Sequence, residues 1–140
     1  MDTCLEKHDR RSLAAICHLF GIIPLYGPVF SWIIWMVSPH RTGALRFHAL
    51  QALAAQCFYF LVILLPVSGL LLSKLFSAAS VPVGRAIGGF SMFLLQAVFV
   101  AFWLLFAFAA AKVLRTGDFR YPVAGDLVER LMDQENTEKK

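Results

Sequence analysis

From Arg10 to Gly117 the chain contains no aspartate or glutamate, and three stretches within it, Ser12 to His40, Phe47 to Ser73 and Ala86 to Ala111, lack lysine and arginine as well. Each is longer than the ~20 residues that carry a helix across a bilayer. A soluble domain of 140 residues turns most of its helix faces to water, so uncharged runs of this length call for hydrocarbon around them. The composition agrees, with 59% hydrophobic and only 16% charged residues. All nine carboxylates sit at the ends, at Asp2, Glu6 and Asp9 and from Asp118 to Glu138. Carboxylate chemistry inside the apolar region is therefore excluded.

A cleavable signal peptide needs a basic start, an apolar run of roughly 7–15 residues and a small-residue cut site. Here Asp2, Glu6 and Asp9 are mixed with Lys7, Arg10 and Arg11, and no Ala-x-Ala site follows the first apolar run. That run is expected to stay as a membrane segment. Cys4, Cys17 and Cys57 have unrelated spacings and two lie in apolar segments, which suits small buried hydrophobes rather than a disulfide framework. A net charge of +4 could suggest nucleic acid, but the basic residues flank the apolar spans, where such residues anchor a chain at anionic headgroups. No nucleic-acid partner is expected.

The first segment, Leu13 to Val37, is interrupted by Gly21, Pro24, Gly27 and Pro28. A proline lacks an N–H and collides with the carbonyl four residues before it, so two halves are expected, Ser12 to Ile23 and Pro28 to Val37. They reach about 18 and 15 Å as helices. The segment either crosses once with a kink or enters and returns as a hairpin, its irregular tip covered by protein or water. A second segment begins with Arg41 to Gln51 and continues to Leu72, with a kink expected at Pro66. A connector over Ser73 to Arg85 leads to the third, Ala86 to Ala111, in which Ala97, Ala101, Leu104, Phe108 and Ala111 share a face. Small residues there let helices approach closely.

Lysine and arginine counts favour the hairpin. With one crossing, five lie on one side and eight on the other; with a hairpin the split becomes eleven against two, only Lys74 and Arg85 being across the membrane. Both arrangements place the C-terminus in the cytoplasm. After the third span, Asp126 with Glu129 three residues later suggests a capping box. It would open a short amphipathic helix with Leu127, Val128, Leu131 and Met132 on its apolar side. Residues 1–133 are read as a single membrane domain and 134–140 as a disordered polar tail.

The histidines and cysteines form neither a Cys-x-x-Cys nor a His-x-x-x-His pair. A haem clamped between His18 and His48 would require the first segment to turn back. The serines have no acid nearby to orient a base. The reading is no catalytic residue, no metal site and no cofactor. Among polar residues inside the spans, His18, Gln51, Gln56 and Gln96 are expected to bond between helices, the alternative being the lining of a path across the membrane.

Arg46-Phe47-His48-Ala49-Leu50-Gln51-Ala52-Leu53 at the start of the second span, paired with Gly117-Asp118-Phe119-Arg120-Tyr121-Pro122-Val123-Ala124-Gly125-Asp126 after the third, resembles a large bacterial family of small membrane proteins of unknown function. Ala15-Ile16-Cys17-His18-Leu19-Phe20-Gly21 and Gly27-Pro28 look similar too. That grouping is distantly similar to the four-helix import component of the chloroplast Tic translocon and to the magnetosome membrane proteins MamF and MmsF. The resemblance implies an all-helical integral protein and carries over no active site.

The fold expected is all-α, an integral membrane helical bundle of three apolar segments, the first broken, giving three to four transmembrane or re-entrant helices plus a short C-terminal amphipathic helix. The expected role is a non-catalytic packing, assembly or interaction subunit of the bacterial inner membrane. Its partners would be the lipid bilayer and either further copies or a larger membrane complex. Its polar cytoplasmic rim would be Arg41, Arg46, His48, Gln51, Arg115, Arg120 and Tyr121. The alternative is a channel or translocation component built on the broken helix at Gly21, Pro24, Gly27 and Pro28.

Overall fold

A computed structural model describes residues 4–24, 26–38, 43–122 and 124–138 of the chain. His40 and Arg41 lie outside the described residues, as do the side chains of Cys4 and His8. Five helices follow one another: α1 Cys4–Phe20, α2 Tyr26–Val37, α3 Gly43–Ala79, α4 Val81–Thr116 and α5 Ala124–Glu138. The fold is all-α among the described residues.

Two helices are long and apolar enough to cross a membrane, α3 and α4, whose most apolar windows have mean hydropathies of 2.1 and 2.3. Only 22% and 11% of those windows is buried within the protein, whereas the core helix of a soluble domain is buried on most sides. The two halves of the first segment fall short. At 1.5 Å per residue α1 and α2 reach about 26 and 18 Å, against a hydrocarbon thickness of about 30 Å.

The break between α1 and α2 falls where glycine and proline predict it. The N–H groups of Gly21, Ile22 and Ile23 donate to the carbonyls of His18, Leu19 and Phe20 at 3.0–3.1 Å, so the turn leaves few backbone groups bare. Gly27 then lets the helices meet, since a Cβ there would stand 2.5 Å from the Phe20 carbonyl oxygen.

The chain forms two compact units. The first holds residues 1–57 and 105–140. Its apolar centre is Cys17, Ala49 and Ala52, with Phe30, Ile34 and Trp35 packed on them. Phe20 stacks on Phe30 with ring centroids 4.2 Å apart. Small residues at 17, 49 and 52 let α1 and α2 lie close on the start of α3.

The second unit, residues 58–104, is the hairpin of α3 and α4. Here the structure corrects one expectation. The connector over Ser73 to Arg85 is helical except at Ser80; Pro66 lies inside α3. Ser73 and Ser77 donate to the carbonyls of Leu70 and Ser73 at 2.7 Å, which absorbs their polarity within the helix. Gly69 packs on Ser91, Gly88 on Ser73 and Gly84 on Ser77. This antiparallel ladder of small residues holds the last turns of α3 against the first of α4. Helix–helix packing is what makes these residues helical, and no local pattern announces it.

At the other end of α4 the chain leaves the helix through Gly117, at φ 75°. Its N–H bonds the Val113 carbonyl at 2.8 Å, the left-handed cap that glycine adopts without a Cβ penalty. The capping box expected at Asp126 and Glu129 does not form. α5 begins two residues earlier, at Ala124, and Glu129 instead accepts from both terminal nitrogens of Arg120 at 2.9 and 3.3 Å. A guanidinium fork outcompetes a single backbone N–H for a carboxylate.

Candidate functional site

The polar side chains of the first unit gather where α1, the start of α3 and the loop after α4 meet. His18 and Gln51 are fully buried and His48 and Tyr121 nearly so. The Tyr121 hydroxyl lies 3.2 Å from Nδ1 of His18, a hydrogen bond spanning 103 residues of sequence. The rings of His18 and His48 meet edge to face, with centroids 5.6 Å apart. Phe119 closes the group, 4.8 Å from Tyr121 and 6.0 Å from His18 between ring centroids.

Gln51 ties the loop down. With its amide oriented to match the donor and acceptor that face it, the nitrogen donates to the Phe119 carbonyl at 2.9 Å and the oxygen accepts from the Tyr121 N–H. One side chain thus satisfies two backbone groups that a loop in a buried setting cannot leave bare. The His48 ring lies beside the Gly117 backbone, so α3 meets both ends of the segment from 117 to 121. Burial pushes the Tyr121 phenol above its ordinary range, because the phenolate would lose its hydration.

A second polar layer lies deeper in the same unit. The Gln56 amide nitrogen donates to the Cys17 carbonyl at 3.4 Å and to the Ser31 hydroxyl at 3.5 Å, and Ser31 in turn donates to the Cys17 carbonyl at 3.5 Å. These long contacts join α1, α2 and α3 at one point. Ser31, the serine in this layer, faces a carbonyl and an amide, which gives it no base of the kind a nucleophile requires.

Cations ring the cluster. Arg46 stands 5.6 Å over the Trp35 ring, Lys112 5.7 Å over Phe119 and Arg120 5.7 Å over Phe47. Of the residues singled out from sequence, His48, Gln51 and Tyr121 are brought together inside, Arg46 and Arg120 lie at their edge, and Arg115 is exposed. Arg41 lies outside the described residues. In the broken segment Gly21 is buried against Phe106, Gly27 is buried against Phe20 and Gln56, Pro28 is half-buried and Pro24 is exposed. Sequence reasoning missed Phe119 and Ser31 as members of the cluster. Among the described residues no group of three or more histidine, cysteine or acidic side chains is placed to hold a metal ion.

The segments that build this cluster are also those a family model recognises. The model of the magnetosome magnetite crystal formation proteins, MamF/MmsF, matches residues 9–128. The chain belongs to this family. The MamF/MmsF match runs from α1 into α5 and so takes in every residue of both polar layers. It makes the chain a member of a membrane-protein family of magnetosome formation. No curated protein and no solved structure matches the chain.

Proposed function

We propose that this protein is a non-catalytic assembly subunit of a bacterial inner membrane, held there by α3 and α4, with α1 and α2 entering as a hairpin and returning to the cytoplasmic face. The observation that carries the reading is how the polar side chains are used. His18, Gln51, Gln56 and Ser31 bond neighbouring helices and the loop after α4, which is the work of interhelical staples. A transport path would need such groups turned to an aqueous lumen.

Two further features support it. The Arg11 side chain sits beside Gly117 and Arg46 over Trp35. The charged part of α1, the end of α2, the start of α3 and the end of α4 therefore share one level, as a hairpin requires. Membership of the MamF/MmsF family connects the assembly to magnetosome formation, where proteins must be organised on the membrane around a mineral. The loop after α4 and α5 would form the surface offered to cytoplasmic partners.

The test is reconstitution in liposomes together with cross-linking in native membranes. Ion and solute flux is expected to equal that of empty vesicles, and cross-linking followed by mass spectrometry is expected to capture defined membrane partners. Reproducible flux abolished by Pro24→Ala or Gly27→Ala would overturn the proposal in favour of a translocation component.

A further inference from the structure

Gln96 lies on a face of α4 that packs against nothing in the second unit. It is exposed and makes no hydrogen bond among the described residues, yet it sits ten residues into the uncharged stretch that starts at Ala86. That is about 15 Å of helix from the nearer end, too far for a short carboxamide to reach headgroups. A primary amide left in hydrocarbon is strongly penalised and normally faces another helix.

The residues around it have a regular order. Gly89, Phe93, Gln96, Val100 and Trp103 follow one another at intervals of four, three, four and three, the spacing of a helix–helix seam. All five are exposed, Phe93 at 67%, Val100 at 53% and Trp103 at 46%. A Cβ built on Gly89 meets nothing within 4 Å. α4 already uses one seam of this kind. Gly84, Gly88 and Ser91 contact Ser77, Ser73 and Gly69 of α3. The bare seam begins five residues later, about 140° around the helix, on the side turned away from α3.

We propose that a second copy of this chain occupies the seam, the two α4 helices running parallel about a two-fold axis with Gln96 against Gln96. Copies inserted in the same orientation present identical faces, and two-fold symmetry sets each residue beside its own counterpart. A carboxamide suits that arrangement because it carries both donors and an acceptor. Each Gln96 satisfies the other, where a partner with only donors or only acceptors would leave half of the amide bare. One polar residue among apolar ones also fixes the register of the pair, and Gly89 permits close approach of the backbones one heptad away. The inference rests on the assembly reading and names its first partner.

The experiment uses the full chain in liposomes at varied protein-to-lipid ratios, with Cys4 and Cys57 replaced by serine and the buried Cys17 by alanine. Single cysteines at Gly89→Cys, Gln96→Cys and Val100→Cys are expected to give an oxidised homodimer, and Leu71→Cys on the exposed side of α3 is not. In a fluorescence energy-transfer titration of the cysteine-free pair labelled at the C-terminus, Gln96→Leu is expected to weaken association about three- to tenfold. Gln96→Asn should keep most of it. Leucine at a lipid-facing position does not threaten folding, so a loss of dimer reads on the interface. Unchanged association in Gln96→Leu, or equal cross-linking through Leu71→Cys, overturns the proposal. Cross-links from Gln96→Cys to a different polypeptide in native membranes also overturn the second copy while leaving the assembly role standing; flux through liposomes, measured separately, decides that role.

Discussion

Gln51 and Tyr121 do different amounts of work in the same cluster. Replacing Tyr121 by phenylalanine removes one hydroxyl from Nδ1 of His18 and should cost about 1–2 kcal/mol of stability in detergent micelles. Gln51→Leu strands both the Phe119 carbonyl and the Tyr121 N–H, so it should cost more, about 2–4 kcal/mol. Limited trypsin digestion at Arg115 and Arg120 reads the difference, since a released loop is cut faster. Tyr121 also gives a pH dependence of definite sign. Because burial raises the phenol above its ordinary 10.0, the stability it contributes is fully present below pH 10 and is lost as pH climbs from there toward the folded-state value. Thermal melts between pH 9 and 12 should therefore fall more steeply for the wild type than for Tyr121→Phe. An equal slope in both would show that the phenol is not the titrating group. The sequence exposes such residues only as polar letters in or beside an uncharged run. It cannot say that His18 meets Tyr121, because 103 residues separate them and the contact exists only once α1 lies beside the end of α4.

Helix contacts at the closed end of the second unit depend on how near the backbones come, and two glycines there should respond differently to one added methyl. A Cβ at Gly84 would press on Ser77, with its backbone nitrogen and Cα each 2.7 Å away, whereas at Gly88 the nearest atoms are the Ser73 Oγ and Cβ at 3.3 and 3.4 Å. Gly84→Ala forces two backbones apart and should destabilise by about 1–3 kcal/mol. Gly88→Ala meets a hydroxyl that can rotate and gains about 0.5–1 kcal/mol of helix propensity, so it should be close to neutral. Unfolding in mixed micelles of graded SDS content orders the two; equal midpoints would show that the helices stand further apart than the contacts imply. The same contrast explains which elements were readable. Gly21, Pro24, Gly27 and Pro28 break the first segment by local sterics, so the two short helices were foreseeable from sequence alone. Ser73 to Arg85 has the composition of a connector, and its helicity depends on serines bonding their own helix and glycines meeting them across the hairpin. Likewise Asp126 and Glu129 have the spacing of a capping box, but Arg120 lies within reach only after the loop folds back.

For the molecule in its membrane, the decisive matter is on which side the two short helices begin and end. Asp9 lies in the charged first half of α1 and Gly43 opens α3, just past the end of α2. If α1 and α2 form a hairpin, both positions and Thr116 at the end of α4 lie on one side, while Ser80, between α3 and α4, lies on the other. Single cysteines at Asp9, Gly43, Thr116 and Ser80, in a chain whose Cys4 and Cys57 are serine and whose Cys17 is alanine, should then react with a membrane-impermeant maleimide in a three-to-one pattern. Asp9→Cys, Gly43→Cys and Thr116→Cys label together in inside-out vesicles and Ser80→Cys labels in right-side-out ones. Opposite labelling of Asp9→Cys and Gly43→Cys would instead mean that the first segment crosses. The physical case against a crossing is length. The uncharged part of α1 from Ser12 to Phe20 reaches about 14 Å and α2 about 18 Å. Placed end to end they would barely span about 30 Å of hydrocarbon, and only by unfolding the contacts that Cys17, Ser31 and Gln56 make when the helices lie side by side. Folded back, the same residues keep their bonds to one another and the lysine and arginine balance becomes eleven to two, so packing and charge both support the hairpin we propose.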